Sequence, residues 1–424
     1  MCIRDRYYIV LREIGDVNND NKHDILVGGQ NKTMCISGAG ELLWSYEASG
    51  FIESLGSIDD VNNDGKPEAV IGTAGYYETY LENKTVCISG CDGSLIWSYA
   101  VRDAVGCVTG IDDVNGDGKQ EVVIGTWERD GQVHVISGGS VGAGVLIWSY
   151  QCGSMAWRLI PINDVNDDGK RDLVVYSFEG KTRCLSGSSG QVLWTIESDG
   201  MPYVVADVNN DMKQDIIIGD KCYSGNNGAL IWSSSLLTGG LIANVQDIDG
   251  DGALDILGYS SVFQNYDWPF WIGSYNVSCV TGATGVQIWS YTVNFTYTYY
   301  PPSPPRACIA DINSDGISDV VVASLWASWS DPFGVTHDEV HAIDGNSIGS
   351  GDLLWKYEVP SPINSLLTVD DVNDDDAQDV VVATLGGMLY CLSGSGSLIW
   401  SSPSKSVPLT QISDVNDDNK PDVI

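Results

Sequence analysis

The feature that most constrains this chain is a nine-residue acidic loop that occurs nine times. Its clearest copy, residues 113–121, has oxygen-bearing side chains at positions 1, 3, 5 and 9 and a glycine at position 6. Calcium takes roughly six to eight oxygen ligands, and a loop that offers them at alternate positions can surround the ion. Position 6 requires a turn with positive φ, which glycine adopts without a Cβ clash. The pattern predicts up to nine Ca²⁺ sites.

The predicted metal ligands are the residues at positions 1, 3, 5, 7 and 9, with position 7 contributing only its backbone carbonyl, so that its side chain need not matter. For loops 1 to 9 in chain order they are Asp16, Asn18, Asp20, Lys22 and Asp24; Asp60, Asn62, Asp64, Lys66 and Glu68; Asp113, Asn115, Asp117, Lys119 and Glu121; Asp164, Asn166, Asp168, Lys170 and Asp172; Asp207, Asn209, Asp211, Lys213 and Asp215; Asp247, Asp249, Asp251, Ala253 and Asp255; Asp311, Asn313, Asp315, Ile317 and Asp319; Asp371, Asn373, Asp375, Ala377 and Asp379; Asp414, Asn416, Asp418, Lys420 and Asp422.

The residues after position 9 decide what kind of loop this is. An EF-hand loop has an acidic residue at position 12 and continues into a helix. Here position 12 is apolar, as in Val27, Ile71 and Ile124, and lies in a short β-branched run typical of a buried strand. The pattern predicts that each loop joins two strands.

Each repeat contains four strand-like segments, and the repeats recur about every 50 residues, a spacing typical of propeller blades or solenoids. In the second repeat these segments are residues 51–58, 69–73, 85–89 and 94–99, with the acidic loop between the first and second. Eight such repeats predict an all-β fold, an eight-bladed β-propeller of four-stranded antiparallel blades, over residues 7–403. Residues 404–424 are interpreted as the truncated start of a ninth repeat.

Two further residue types recur at fixed repeat positions. The fourth strand of every repeat carries a tryptophan, which we expect to pack between repeats because large aromatic side chains bury much surface. These are Trp44, Trp97, Trp148, Trp194, Trp232, Trp289, Trp355 and Trp400. Six cysteines also share one position and are expected to be small buried apolar residues rather than disulfide partners. They are Cys35, Cys87, Cys184, Cys222, Cys279 and Cys391.

At this point two resemblances can be stated. The acidic loop with its following strand resembles the FG-GAP repeats of integrin α-subunit propellers and related surface proteins. Residues 89–97, Ser-Gly-Cys-Asp-Gly-Ser-Leu-Ile-Trp, are similar to the tryptophan-docking motif of pyrroloquinoline-quinone-type propellers, which have eight blades. Together the two resemblances imply a calcium-stabilised propeller that is extracellular or at the cell surface. They imply no quinone site, because the chain lacks the adjacent cysteine pair expected there.

The net charge of −36, from 57 acidic and 21 basic residues, is largely explained by the metal loops. It argues against nucleic-acid partners and anionic membrane surfaces. No segment reaches the roughly 20 apolar residues of a membrane span, and residues 1–6 lack the apolar region of a secretory signal. The chain is interpreted as a fragment of a longer protein.

Aromatic residues accumulate in the connections of the sixth and seventh repeats, which we expect to be long loops on the face opposite the calcium loops. The predicted ligand-binding residues are Trp268, Trp271, Tyr299, Trp326 and Trp329. They would bind a glycan or protein ligand. The competing interpretation is that these aromatics pack inward and cover one another.

Loop 5 departs from the pattern, because Met212 occupies position 6. Positive φ costs conformational free energy in a residue with a Cβ, so loop 5 is predicted to be the least occupied of the metal sites.

The predicted function is a binding or adhesion module. One alternative is a polysaccharide-degrading enzyme with a propeller like that of rhamnogalacturonan lyases, although only four histidines are present and the arginines are dispersed. Another is a structural spacer in a large surface protein. The two G-x-S-x-G matches, residues 138–142 and 345–349, fall in glycine-rich hairpins and are expected to be turns rather than nucleophile elbows.

Overall fold

The computed structural model describes residues 9–20, 22–38, 40–75, 83–127, 130–197, 200–267, 270–298, 306–323, 338–403, 411–412 and 422–423. Apart from one 3-10 turn at Ser235–Leu237, the regular elements of this part of the chain are β-strands. The chain divides into two compact units. Unit 1 comprises residues 1–204 and 225–228, and unit 2 comprises residues 205–224 and 229–424.

The first four sheets lie in unit 1, and each has its four main strands in chain order, hydrogen-bonded to their sequence neighbours. Sheet 1 contains β1 (Ile9–Gly15), β2 (Asp24–Gly29), β3 (Lys32–Ile36) and β4 (Leu42–Glu47). Sheet 2 contains β5 (Phe51–Ile58), β6 (Glu68–Ala74), β7 (Lys84–Ile88) and β8 (Leu95–Ala100). Sheet 3 contains β9 (Val105–Ile111), β10 (Glu121–Thr126), β11 (Gln132–Ile136) and β13 (Leu146–Gln151), and the short β12 (Gly142–Ala143) pairs in parallel with β8. Sheet 4 contains β14 (Ala156–Ile162), β15 (Asp172–Ser177), β16 (Lys181–Leu185) and β17 (Val192–Glu197).

The remaining sheets follow the same order. Sheet 5 contains β18 (Pro202–Val205), β19 (Asp215–Ile218), β20 (Lys221–Tyr223) and β21 (Leu230–Ser233). Sheet 6 contains β22 (Gly240–Val245), β23 (Asp255–Asp267), β24 (Phe270–Val280) and β25 (Gln287–Thr298), and β29 (Gly349–Ser350) pairs in parallel with β25. Sheet 7 contains β26 (Arg306–Ala310), β27 (Asp319–Ala323), β28 (Asp338–Ile343) and β30 (Leu353–Val359). Sheet 8 contains β31 (Ile363–Val369), β32 (Asp379–Thr384), β33 (Met388–Leu392) and β34 (Leu398–Pro403), and β35 (Gln411–Ile412) pairs with β36 (Asp422–Val423).

The second strand of each sheet forms the core. Every residue of β6, β10 and β32 is buried, because these strands lie between two neighbours and have both faces covered. Within each unit, the first strands of consecutive sheets lie side by side, as β5 does with β1 and β9, and β26 with β22 and β31. The predicted four-stranded antiparallel repeats are therefore confirmed, and the strand bounds in sheet 2 agree with the prediction to within one residue at most ends.

The cysteine prediction is confirmed as well. The six equivalent cysteines lie in third strands, are fully buried and are unpaired. In the residues described, no helix is long and apolar enough to cross a membrane.

The sixth sheet corrects one prediction. Its expected long loop between the second and third strands is instead a ladder, in which β23 and β24 extend to 13 and 11 residues and are connected by residues 268–269 alone. Aromatic and β-branched residues favour extended pairing, so the insertion lengthens the hairpin. Tyr275 in β24 is 2% exposed and packs edge-on against Tyr259 at 5.9 Å, so it belongs to the core.

Candidate metal centre

The acidic loops connect the first and second strands, as predicted. Position 9 is in each case the first residue of the second strand, for example Glu68 in β6 and Asp255 in β23. No helix follows any described loop, which excludes the EF-hand alternative for these copies. The loop is thus anchored at its last ligand position by the sheet hydrogen bonds of a buried strand.

In three loops the carboxylates converge closely enough to share one ion. One ligand oxygen from each residue lies within 4.8 Å of the others, in the described part of the chain, for the following groups: Asp60, Asp64 and Glu68 in loop 2; Asp113, Asp117 and Glu121 in loop 3; Asp247, Asp249 and Asp255 in loop 6. All three groups combine two carboxylates near the surface with one buried carboxylate.

Backbone hydrogen bonds orient these carboxylates. In loop 2, Oδ1 of Asp60 accepts from the N–H of Asn63 (2.6 Å), and Oδ2 accepts from the N–H of Gly65 (2.9 Å). Asp64 accepts from the N–H of Lys66 through Oδ1 (2.9 Å) and from the hydroxyl of Ser89 through Oδ2 (2.8 Å). Each side chain is held by the loop's own backbone, so the arrangement is preorganised.

The prediction of positive φ at position 6 is confirmed wherever that position is described. The values include +84° at Gly65 and +92° at Gly252, and Met212 adopts +68° with 89% of its side chain exposed. Position 4 is also left-handed, with φ of 65° at Asn19 and 66° at Asn63. The sequence carries a signal for this second left-handed position that the loop pattern did not include: Asn, Asp and Gly, which tolerate the conformation, predominate at position 4.

The position-9 carboxylates of loops 1 to 8, whose side chains the structure describes, are fully buried. Burial, followed by the neighbouring loop carboxylates, raises the pKa of Glu68 and of Glu121 to about 7, while hydrogen bonds from backbone N–H groups oppose the shift. Burial raises the pKa of Asp319 to about 7 and those of Asp255 and Asp379 to about 6. A buried negative charge among other carboxylates requires a positive partner or a proton.

A glycine after the third strand joins the position-9 carboxylate of its own sheet to the tryptophan of the preceding sheet. In sheet 2, Gly90 donates its N–H to Oε2 of Glu68 (3.2 Å), and its carbonyl accepts the indole N–H of Trp44 from sheet 1 (2.6 Å). In sheet 6, Gly282 donates to Asp255 (3.1 Å) and accepts from Trp232 (2.7 Å). We call this arrangement of carboxylate, glycine and tryptophan the glycine bridge.

The bridge requires glycine for steric reasons. A Cβ on Gly90 would lie 2.0 Å from the carbonyl oxygen of Pro67, and one on Gly282 would lie 2.0 Å from that of Leu254. The backbone carbonyl of the position-8 residue therefore packs directly against the glycine and leaves no room for a side chain. A repeated Ser-Gly or Thr-Gly pair after the third strand was the sequence signal for the bridge.

The predicted packing of the tryptophans between repeats is confirmed for seven of them, each of which donates its indole N–H to a glycine carbonyl in the following sheet. The pairs within unit 1 are Trp44 with Gly90, Trp97 with Gly138, Trp148 with Gly187 and Trp194 with Gly225. Those within unit 2 are Trp232 with Gly282, Trp289 with Gly345 and Trp355 with Gly394.

The lysines at position 7 have side-chain contacts that the sequence pattern did not predict. Lys66 of loop 2 donates to the backbone carbonyl of Asp16 (2.8 Å) and to Oδ1 of Asn19 (2.6 Å), both in loop 1. Such contacts join residues about 50 positions apart, which is why local pattern reasoning missed them. The repeated lysine at position 7 of loops 1 to 5 was the available signal.

The donors fit a hard divalent cation. Each of the three carboxylate groups offers oxygen atoms, and no nitrogen or sulfur ligand belongs to them. Carboxylate and carbonyl oxygens suit Mg²⁺, Ca²⁺ or Mn²⁺, whereas Zn²⁺ and copper favour imidazole and thiolate. The buried position-9 acid, whose pKa is raised, is the group that such a cation would hold in its ionised form.

Several predicted residues lie outside the described part of the chain. These are the loop 9 ligands Asp414, Asn416, Asp418 and Lys420, and the aromatics Trp268, Tyr299, Trp326 and Trp329. Asp422 is described by its backbone in β36, and Trp271 by its backbone in β24, where it pairs with Tyr266. The ligand face therefore stays a prediction.

The serines of the two G-x-S-x-G matches have structural roles. The hydroxyl of Ser140 donates to the carbonyl of Ser137 (2.6 Å) and accepts from the N–H of Val145 (3.0 Å), and Ser347 repeats both contacts in sheet 7. Both stretches are turns, as predicted. His341 lies on the third strand of its sheet and contacts Tyr291 and Glu339.

Comparison with known proteins places a β-propeller sequence at the end of the chain. Residues 344–424 match the family described as the lambda-carrageenase beta-propeller domain. A lambda-carrageenase from Pseudoalteromonas carrageenovora is 29% identical over 75 residues, 18% of this chain and 8% of that protein. FAM234B of Mus musculus is 27% identical over 130 residues, 28% of this chain and 20% of that protein. The chain thus spans only a small part of these relatives.

Among solved structures, BamB from Moraxella catarrhalis aligns over 92% of this chain and 98% of its own, with a TM-score of 0.45 and 15% identity. At this TM-score and identity, neither the overall shape nor the role of BamB is assigned to this chain. The all-β architecture described above rests on the strands themselves.

Proposed function

We propose that the chain is a calcium-stabilised β-propeller of eight blades, in which the acidic loops bind Ca²⁺ and thereby stabilise the packing between blades. The glycine bridge carries this proposal. The same glycine that bonds the buried position-9 acid also accepts the indole of the preceding sheet, so a cation in the loop stabilises a contact between sheets. The convergence of three carboxylates within 4.8 Å in loops 2, 3 and 6 supports it.

Calcium is preferred to magnesium because of the donor set. Each loop supplies three or four carboxylates together with an amide or backbone oxygen in most copies, and Ca²⁺ accepts many oxygens in flexible geometry. Mg²⁺ retains several waters and demands near-octahedral geometry, which a nine-residue loop full of protein oxygens does not provide.

The experiment is to count bound ions and measure stability together. Native mass spectrometry in calcium should show several ions per molecule. Each site at 100 times its dissociation constant stabilises by about 2.7 kcal/mol, so several sites should raise the melting temperature by more than about ten degrees over the chelated protein. Replacing Asp60 and Asp64 by Asn should remove one ion and part of the shift, and magnesium at equal concentration should be much less effective. Coincident melting curves in calcium and chelator would refute the proposal.

In its biological role the propeller is a binding or adhesion module of a larger extracellular protein, with a glycan or protein as ligand. The similarity of residues 344–424 to the propeller domain of a carrageenase supports a glycan. The same similarity favours the second candidate, in which the chain is part of a polysaccharide-degrading enzyme.

Two assays separate these candidates. Binding to a glycan array that includes carrageenans, lost in the Trp271→Ala variant without a change in melting temperature, would support the binding module. Release of reducing ends from the same polysaccharides would support the enzyme. If the chain neither binds nor cleaves any glycan, a protein ligand or a spacer role accounts for it better.

A further inference from the structure

We propose that three position-7 lysines of unit 1, Lys66, Lys119 and Lys170, are positioning residues that couple loops 2, 3 and 4 to the loop before each of them, so that neighbouring sites bind calcium cooperatively. The inference rests on the proposed calcium binding and concerns its regulation. Each lysine belongs to one loop through its backbone and to the preceding loop through its ammonium group.

The contact repeats in consecutive loops. As Lys66 does with loop 1, Lys119 of loop 3 donates to the carbonyl of Asp60 (3.0 Å) and to Oδ1 of Asn63 (2.6 Å) in loop 2. Lys170 of loop 4 donates to the carbonyl of Asp113 in loop 3. The acceptors are always at position 1, and also at position 4 where that residue has a side-chain oxygen to offer.

Position 4 is the second point at which the lysine contacts the neighbouring loop. Asn19 and Asn63 are left-handed, with φ of 65° and 66°, a conformation that asparagine tolerates better than most residues with a Cβ. The lysine bonds both the left-handed residue and the backbone carbonyl of the position-1 residue, and so holds the loop in the shape that the proposed site requires. In loop 3, position 4 is Gly116, which needs no such support, and there the lysine contacts only the backbone.

The coupling follows from the dual position of the lysine. Its own carbonyl is a predicted ligand, so an ion in loop 2 fixes the backbone of Lys66. A fixed backbone lowers the ordering cost of the ammonium contacts with loop 1, which then binds its ion more tightly. Because such coupling is reciprocal, occupancy of loop 1 favours occupancy of loop 2 to the same degree.

Unit 2 provides the internal contrast. Among the described loops that follow another loop within that unit, position 7 is Ala253, Ile317 or Ala377, so no ammonium group can link these three loops in this way. The proposal therefore confines the lysine-dependent coupling to the loops of unit 1.

The test compares the full chain with a double variant, Lys66→Met and Lys119→Met, which keeps the aliphatic stems and removes the ammonium groups. Lys32→Met, in β3 and away from the loops, controls for lost positive charge. Native mass spectrometry across a range of free calcium would give the distribution of bound ions. The wild type and the control should pass through few partly loaded species. The double variant should accumulate them and need about fivefold more calcium to fill the affected sites, the lower end of typical coupling.

The outcomes are distinguishable. Equal melting temperatures in saturating calcium would show that the variants fold alike. If the double variant binds calcium as the control does, or more tightly because a competing charge is gone, the coupling proposal is wrong while calcium binding stands. If the wild type binds no calcium, the proposed function itself fails.

Discussion

Loops 2 to 4 of unit 1 and loops 6 to 8 of unit 2 share the same internal contacts. They differ in the contacts that connect one loop to the neighbouring loop. Both sets have the buried position-9 acid and the glycine bridge, illustrated by Gly90 and Gly282. In unit 1 the link between loops is a lysine ammonium group. In unit 2 it is neutral: the hydroxyl of Ser314 in loop 7 donates to the carbonyl of Asp376 in loop 8 (2.6 Å). The contacts inside the loop are thus shared by the two units, whereas the connection from one loop to the next differs between them.

The pH dependence of folding stability tests whether the buried position-9 acids of the two units are equivalent. It is the largest effect that we expect. Folding raises the pKa of Glu68 and Asp319 to about 7, so between the unfolded value and pH 7 the folded state holds a proton that the unfolded state has lost. The stability of the chelated protein should therefore fall as pH rises from about 5 to 7, with each such group contributing on the order of 1 kcal/mol per pH unit. In saturating calcium the ion competes with the proton, and stability should instead rise over this range.

Denaturant unfolding at several pH values, with calcium and with chelator, measures both slopes. Glu68→Gln in unit 1 and Asp319→Asn in unit 2 should reduce the slope of the chelated protein by similar amounts. If only one of the two variants reduces the slope, the position-9 acids of the two units do not have equivalent environments.

The tryptophans give the next largest effect. Trp97 and Trp289 are buried and donate to Gly138 and Gly345, in units 1 and 2 respectively. Trp97→Phe and Trp289→Phe would each leave a buried glycine carbonyl without its partner, which costs about 1–3 kcal/mol. Denaturant unfolding should show similar losses for the two variants. The control Trp157→Phe, at a side chain that is 45% exposed, should change stability by no more than about 0.5 kcal/mol. A much smaller loss in one unit would contradict the shared role of the bridge.

The parts that the sequence could predict are those governed by local patterns. The β-branched run after each acidic loop predicted buried second strands, and β6 and β10 are buried throughout. The recurrence of tryptophan predicted packing between repeats, and residues such as Trp44 do this through a hydrogen bond to the next sheet. In both cases the residue type that recurs at one repeat position was enough for the prediction, although the partner of Trp44, Gly90, lies 46 residues away.

The parts that it missed depend on contacts between repeats or on register. The lysine contacts of loops 2 and 3 and the glycine bridge join residues that are distant in sequence, so no single repeat contains the information. The aromatic composition of the segment that forms the hairpin of β23 and β24 predicts a long loop, because composition alone carries no information about strand pairing. Their pairing partners, such as Phe263 with Gly273, become apparent only when the register is known.

The smallest expected effect concerns position 6. There the residue of a loop in one unit can be replaced by the residue found in a loop of the other unit. Met212 in loop 5 of unit 2 has φ of 68°, and Gly65 in loop 2 of unit 1 has φ of 84°. A Cβ on Gly65 would meet nothing within 4 Å, so a side chain there costs only backbone strain. Met212→Gly should therefore stabilise the calcium-bound protein by about 1 kcal/mol and tighten loop 5, and Gly65→Met should destabilise it by a similar amount. Denaturant midpoints in saturating calcium, with ion counts at limiting calcium, measure both. If Met212→Gly leaves the ion count at limiting calcium unchanged while Gly65→Met lowers it, strain at position 6 does not explain the behaviour of loop 5, and the predicted weakness of that site is wrong.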